Sequence, residues 1–234
     1  MRLIALTLAC LAFVMPAAAQ DRRASHCIAL VQNTPGLSLV HKASFRAPLE
    51  DFTVRLSFLG HAMFLLQTPG GESAVTDYTG FLGTVDFVPS VATMNRAHST
   101  HWTNNPDPRI PHVLPGWDFE TAGLCIGHLG HLHHEPTPEQ YAALGRLDVV
   151  MVPVDGGYTM DVTAMMRVVQ RLRSSIVVPM HWFGRSTLEF FIAEMSGDFA
   201  VQRLDRSWLE VSLRSLPSRP TIMLLEPALL RRDE

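Results

Sequence analysis

The chain has 234 residues, 19 basic and 22 acidic, for a formal net charge of −3. No basic run interrupts that balance, which excludes the electrostatic footprint of a nucleic-acid-binding protein. Three cysteines are too few for a disulfide scaffold.

The first stretch reads as a secretory signal peptide. Arg2 supplies a positive start, residues 3–15 an apolar core, and Ala17-Ala18-Ala19 a small-residue cleavage site. Residues 1–19 are therefore expected to be removed, and no later segment reaches the ~18 apolar residues that a membrane span needs. The protein is expected in the periplasm or outside the cell. Residues 20–234 then form a single domain, long enough to bury a full core. Cys27 and Cys125 remain in it, able to pair in an oxidising compartment or to stay as buried thiols.

Residues 20–50 are irregular. Phe52, Val54, Leu56 and Phe58 then alternate with Thr53, Arg55 and Ser57, which predicts a half-buried strand. Gly60 breaks it, residues 62–66 form a second strand, and Pro69-Gly70-Gly71 turns the chain into a third over 74–77. Further strands are predicted over 88–94 and 123–126. Residues 104–108 and 112–117, between them, read as a loop. Thr137 and Gln140 form a capping box, with Pro138 at the first helical position and Gly145 at the end. Residues 148–154 form an apolar strand. Asp161 caps a helix whose Met165, Val168, Val169 and Leu172 make one apolar stripe. Residues 176–180 form a strand that delivers His181 at its end. Ser186 and Glu189 predict a second capping box, opening a helix that stops near Gly197. Strands over 208–213 and 221–225 close the domain. Strand–helix alternation after a β meander predicts an α/β protein with layered sheets.

Histidine is the outlier. Seven of the eleven lie between His98 and His134, where even scatter would place about two. Four groups carry the chemistry: His98 and His101, three apart after a strand; His128 and His131, in a run that continues through His133 and His134; His181; and His61 with Asp77, both at strand ends. Each has an ordinary reading alone: a polar loop, a satisfied core histidine, a turn cap. Together, histidines delivered by several different strands are what a metal site needs from a fold.

These segments resemble the metallo-β-lactamase superfamily, and within it the L-ascorbate-6-phosphate lactonase-like hydrolases. Leu59-Gly60-His61-Ala62-Met63-Phe64-Leu65, Thr76-Asp77-Tyr78, His128-Leu129-Gly130-His131-Leu132, Gly156-Gly157-Tyr158 and Val178-Pro179-Met180-His181-Trp182 follow one another in the family's order. The resemblance implies a four-layer αββα sandwich with a metal site at one edge between the sheets. Its ligands would come from His98, His101, His128, His131 and His181. Asp77 and His61 would act beside them, supporting a ligand from behind or moving a proton. The chain departs from the family where Arg96 replaces the first histidine of the His-x-His-x-Asp-His signature. Thr100 replaces its aspartate, and His131 replaces the bridging carboxylate. The stretch from His101 to His128 is also short for this fold.

An all-imidazole set suits one Zn²⁺, or another divalent metal, better than a pair of ions. The resemblance thus implies a secreted zinc-dependent hydrolase acting on a small ester, lactone, amide or phosphodiester. A non-catalytic descendant that binds metal or ligand is the alternative. The sequence indicates no oligomeric state.

Overall fold

The computed structural model describes residues 45–95, 99–114 and 118–231, with backbone alone for 118–120. The expected signal peptide, Cys27, Arg96 and His98 lie outside them. In chain order the elements are β1 (Val54–Gly60), β2 (Met63–Gln67), β3 (Ser73–Val75), β4 (Val91–Thr93), β5 (His112–Leu114), β6 (Asp118–Thr121), β7 (Leu124–His128), α1 (Pro138–Leu144) and β8 (Val149–Pro153). Then come α2 (Val162–Leu172), β9 (Ile176–Met180), α3 (Arg185–Met195), β10 (Ala200–Arg203), β11 (Trp208–Val211) and β12 (Thr221–Leu224).

The strands form two six-stranded sheets, ordered β11-β1-β2-β3-β4-β5 and β10-β12-β9-β8-β7-β6. The alternation seen in the sequence explains how they stack. Val54, Leu56 and Phe58 of β1 face Leu124, Ile126, Val149, Met151, Val178 and Met180 of the second sheet in one buried cluster. Phe58 and Phe64 stack there at 4.7 Å between centroids, each burial worth about 2–3 kcal/mol. Phe52 begins the predicted alternation, but it sits in a turn at φ +59° and is exposed.

The second sheet reads as continuous apolar runs because both of its faces are covered. Cys125, Val150, Val152 and Val177 point away from the first sheet, toward Met165, Val168 and Val169 of α2 and Leu188, Phe191 and Ile192 of α3. The outer face of the first sheet is covered differently. Leu59, Leu65, Val75 and Ala92 pack against Phe45, Leu82, Ile110 and Leu230, all from loops. Among the described residues the helices therefore lie on one side of the sandwich.

Pro179 stands inside the buried strand β9, where a missing N–H usually breaks a ladder. Ile176 donates its N–H toward β8, to the Asp148 carbonyl, so Pro179 turns its nitrogen to the opposite side. On that side β12 pairs with Ile176 and Val177 only. The lost donor thus falls past the end of the ladder.

Helix α1 carries the expected capping box, with Thr137 and Gln140 bonded reciprocally, and Asp161 caps α2 through the N–H groups of Thr163 and Ala164. Helix α3 differs from expectation. It starts at Arg185, its N-cap is Gly184, and no side chain caps it. Glu189 instead forms a two-pronged pair with Arg203 on β10, which removes it from any capping role. The region between His101 and His128 also differs. Residues 112–114 are not a loop but the edge strand β5, and β6 lies at the matching edge of the other sheet. Cys125 is disulfide-bonded. No helix among the described residues is long and apolar enough to cross a membrane.

Candidate metal centre

The parallel strands β7, β8 and β9 all end at the same edge of the sandwich, where their loops carry His131, Asp155 and His181. Three segments of the first sheet meet them there. His61 lies in the turn between β1 and β2, Asp77 just past β3, and His101 in the loop after β4. The junction is held by backbone: His181 N–H donates to the His61 carbonyl at 2.7 Å.

The donor atoms of His61, His101 and His181 all lie within 4.8 Å of one another. His101 and His181 are fully buried, and His61 is half-buried. Each buried histidine has a carboxylate behind it. His101 Nδ1 donates to Asp77 Oδ2 at 2.5 Å, and His181 Nδ1 donates to Asp155 Oδ1 at 2.9 Å. That fixes both rings as the tautomer with a lone pair on Nε2. The two Nε2 atoms face each other across 3.1 Å. Two lone pairs so placed repel unless a cation or a proton lies between them. Zinc–nitrogen bonds of about 2.0–2.1 Å in a tetrahedral site put neighbouring nitrogens about 3.3 Å apart. The donor set therefore fits one such ion.

Asp155 does more than orient His181. Burial pushes its carboxyl pKa up, but hydrogen bonds from His181, Thr159, Gly157 and Tyr158 outweigh this and hold it far below the ordinary carboxylate range. The carboxylate accepts the N–H groups of Gly157 at 2.9 Å, Tyr158 at 2.5 Å and Thr159 at 3.1 Å, and the Thr159 hydroxyl at 2.5 Å. One side chain thus fixes both a histidine and the loop beside it.

Three of these residues sit in the left-handed backbone region: His61 at φ +56°, Asp77 at +46° and His181 at +57°. For a residue with a Cβ this costs about 1–2 kcal/mol each, and such strain gathers at functional sites.

A family model for the beta-lactamase superfamily domain matches residues 55–118 and 115–181, together more than half of the chain. The chain belongs to the metallo-β-lactamase superfamily. A UPF0173 metal-dependent hydrolase of Nanoarchaeum equitans is 28% identical over 102 residues, 44% of this chain and 47% of that protein. One from Thermoplasma acidophilum is 33% identical over 60 residues, 26% of this chain and 27% of that protein. The chain thus spans about half or less of these curated relatives. Among solved structures, a Thermotoga maritima protein assigned to the Zn-dependent hydrolases of the superfamily aligns at a TM-score of 0.56 and 24% identity, covering 74% of this chain and 99% of its own. Igni18, a metallo hydrolase from Ignicoccus hospitalis, aligns at 0.50 and 16% identity, covering 75% of this chain and 96% of its own. At these identities the likeness is one of fold.

Against this superfamily frame the residues expected from sequence fall into distinct places. His101 and His181 lie in the donor group. His61, expected beside the ligands, contributes a donor atom to the same group. Asp77 supports His101 from behind. His131 closes the cluster, its ring 4.8 Å from that of His101 and 5.0 Å from that of His181, with Nδ1 hydrogen-bonded to His133 at 2.8 Å.

His128 is placed otherwise than expected of a ligand. Its Nε2 donates to the Ala62 carbonyl at 2.7 Å, and its Nδ1 accepts from Gly130 N–H at 3.2 Å. Both ring nitrogens are engaged by backbone, and burial pushes its pKa down so that the ring stays neutral. His98 lies outside the described residues. Thr100 is exposed. Asp155 accepts from His181 and from three successive backbone N–H groups, yet sequence reasoning passed over it. The available signal was its position: an acidic residue two past the end of β8, at the same strand edge as the histidines.

Proposed function

We propose that this protein is an exported metal-dependent hydrolase that holds one zinc ion between His61, His101 and His181. It would act on a small ester, lactone, amide or phosphodiester, and the narrower likeness to lactonase-like enzymes belongs to the same proposal. One observation carries the reading: two buried imidazoles, each backed by a carboxylate, turn their Nε2 atoms toward each other at 3.1 Å. When bound, the ion supplies Lewis-acid polarisation of a carbonyl or phosphoryl oxygen and activation of water.

The chain's own contribution is to prepare that site. Asp77 and Asp155 fix the tautomer and aim of His101 and His181. His128 and the Thr76 hydroxyl both donate to the Ala62 carbonyl, at 2.7 and 3.2 Å, and so hold the turn that carries His61. His131 presents an imidazole at the position that matches the superfamily's bridging carboxylate. That supports a single ion, because no negative charge is added there to offset a second. Export is supported by the signal-like residues 1–19 and by the disulfide at Cys125, a bond typical of oxidising compartments.

The test is metal analysis of the purified protein after dialysis, followed by a panel of ester, lactone, amide and phosphodiester substrates. Metal-dependent turnover that His101→Ala and His181→Ala both abolish supports the reading. Tight metal binding with no turnover on any class supports the non-catalytic alternative.

A further inference from the structure

Two exposed aromatic rings stand directly over the histidine cluster. Phe183, 62% exposed, lies 5.4 Å from the His61 ring and 5.3 Å from the His181 ring. Tyr158, 67% exposed, meets Phe183 edge-to-face at 5.3 Å. Neither has the placement of an incidental surface residue. Phe183 follows His181 by two residues, and the Tyr158 N–H is held by the carboxylate of Asp155, the same group that orients His181. The Tyr158 backbone is thus held by the carboxylate that orients His181, and the Phe183 ring packs on those of His61, His181 and Tyr158. A Cβ placed on Gly157 or Gly184, the residues adjoining them, would meet nothing within 4 Å, so the backbone beside each ring is open.

We propose that Tyr158 and Phe183 form the wall of the substrate pocket, receiving an aromatic ring on the acyl side of the bond that is cleaved. The inference rests on the hydrolase reading and narrows its substrate to esters or amides of arylacetic or similar acids. Rings inclined at 72° to one another offer one face and one edge, the two geometries in which a third ring packs well. Covering surface this exposed also supplies the apolar burial that a small polar substrate cannot.

The test uses the zinc-loaded protein and two esters with one leaving group, p-nitrophenyl phenylacetate and p-nitrophenyl acetate. Each consumes one water and yields p-nitrophenol with phenylacetate or acetate. The wild type is expected to favour the phenylacetyl ester in kcat/KM by about tenfold, the scale of one well-packed aromatic contact with its buried area. Phe183→Ala with Tyr158→Ala should erase that preference, and Tyr158→Phe, which keeps the ring, should retain it. Binding of phenylacetate, read by saturation-transfer NMR without turnover, should be lost in the double variant and kept in Tyr158→Phe. Thermal unfolding of each variant checks the fold.

A preference or a phenylacetate signal that survives the double variant overturns the proposal. If phenylacetate binds through the two rings but neither these esters nor any member of the ester, lactone, amide and phosphodiester panel is turned over, the pocket wall stands and the hydrolase reading falls. If both esters are hydrolysed equally and phenylacetate does not bind, the hydrolase reading stands and the wall falls. If phenylacetate does not bind and nothing in the panel is turned over, both fall.

Discussion

His128 donates its Nε2 proton to the Ala62 carbonyl at 2.7 Å, which joins the end of β7 in one sheet to the β1–β2 turn in the other. One of the five histidines expected as ligands is therefore a brace between sheets. In metal-free protein, His128→Ala should lower stability by about 2–4 kcal/mol, through a cavity and an unsatisfied carbonyl. Urea unfolding after chelation measures it. The pH dependence has a definite sign. Because burial lowers its folded pKa, His128 takes up a proton on unfolding below its unfolded value of about 6.5. Its contribution is present above that pH and lost as pH falls. His128→Gln should flatten the fall in stability between pH 7 and 5, and an unchanged slope would show that the ring is not held neutral.

Metal stoichiometry is expected to be one per chain. His61→Ala, His101→Ala and His181→Ala should each lower zinc affinity by at least about tenfold, whereas His128, expected from sequence as one of five ligands, has both ring nitrogens engaged by backbone. Elemental analysis after dialysis reads this. Two tightly held equivalents would refute the single-ion site.

Asp155→Asn should do two things at once. It replaces one carboxylate oxygen by an NH2 group that cannot accept, leaving a single oxygen to serve both the N–H groups of the Gly157–Thr159 loop and the His181 ring. It also releases the tautomer of His181. We expect about 2–3 kcal/mol lost in stability and about 10–100-fold in zinc affinity. Asp77→Asn should weaken zinc to a similar degree by releasing the tautomer of His101, and the larger loss of stability is expected in Asp155→Asn, which also gives up bonds to three backbone N–H groups. Equal losses of stability in the two variants would count against the loop-pinning role of Asp155.

Secreted material should begin at Gln20, with Cys125 oxidised. N-terminal sequencing and intact mass before and after reduction test this. An intact Met1 in exported protein would defeat the export reading, and an unchanged mass on reduction would defeat the disulfide.

Most strands of both sheets were legible because their burial follows the pleat, whereas β5, β6 and β10 were not expected. Val54, Leu56 and Phe58 announce one buried face, and β8 and β9 announce two. His181 was legible for the same reason, as the polar end of an apolar strand. The rest was hidden by tertiary choices. In the segment from His128 to His134, the period of the chain does not say which ring turns toward the ion and which toward a carbonyl; the position of Ala62 decides. Asp155, ahead of two glycines, has the local look of a turn residue, and only the arrival of His181 gives it a second role. Ser186 and Glu189 had the spacing of a cap, but Arg203, fourteen residues further on, claims the carboxylate. Strand β5 has three exposed residues at a sheet edge, too short a run to show a period.

The left-handed backbone at His61, Asp77 and His181 has a consequence for how this protein could be changed. Each position is one that glycine or asparagine occupies with less strain than the residue now there. A library selected for heat resistance alone would therefore drift toward those residues at all three places, and its most durable members would be those that had discarded the metal centre. Any effort to harden the protein has to screen for metal binding at every round, because at this edge of the sandwich durability and chemistry pull the same three backbone angles in opposite directions.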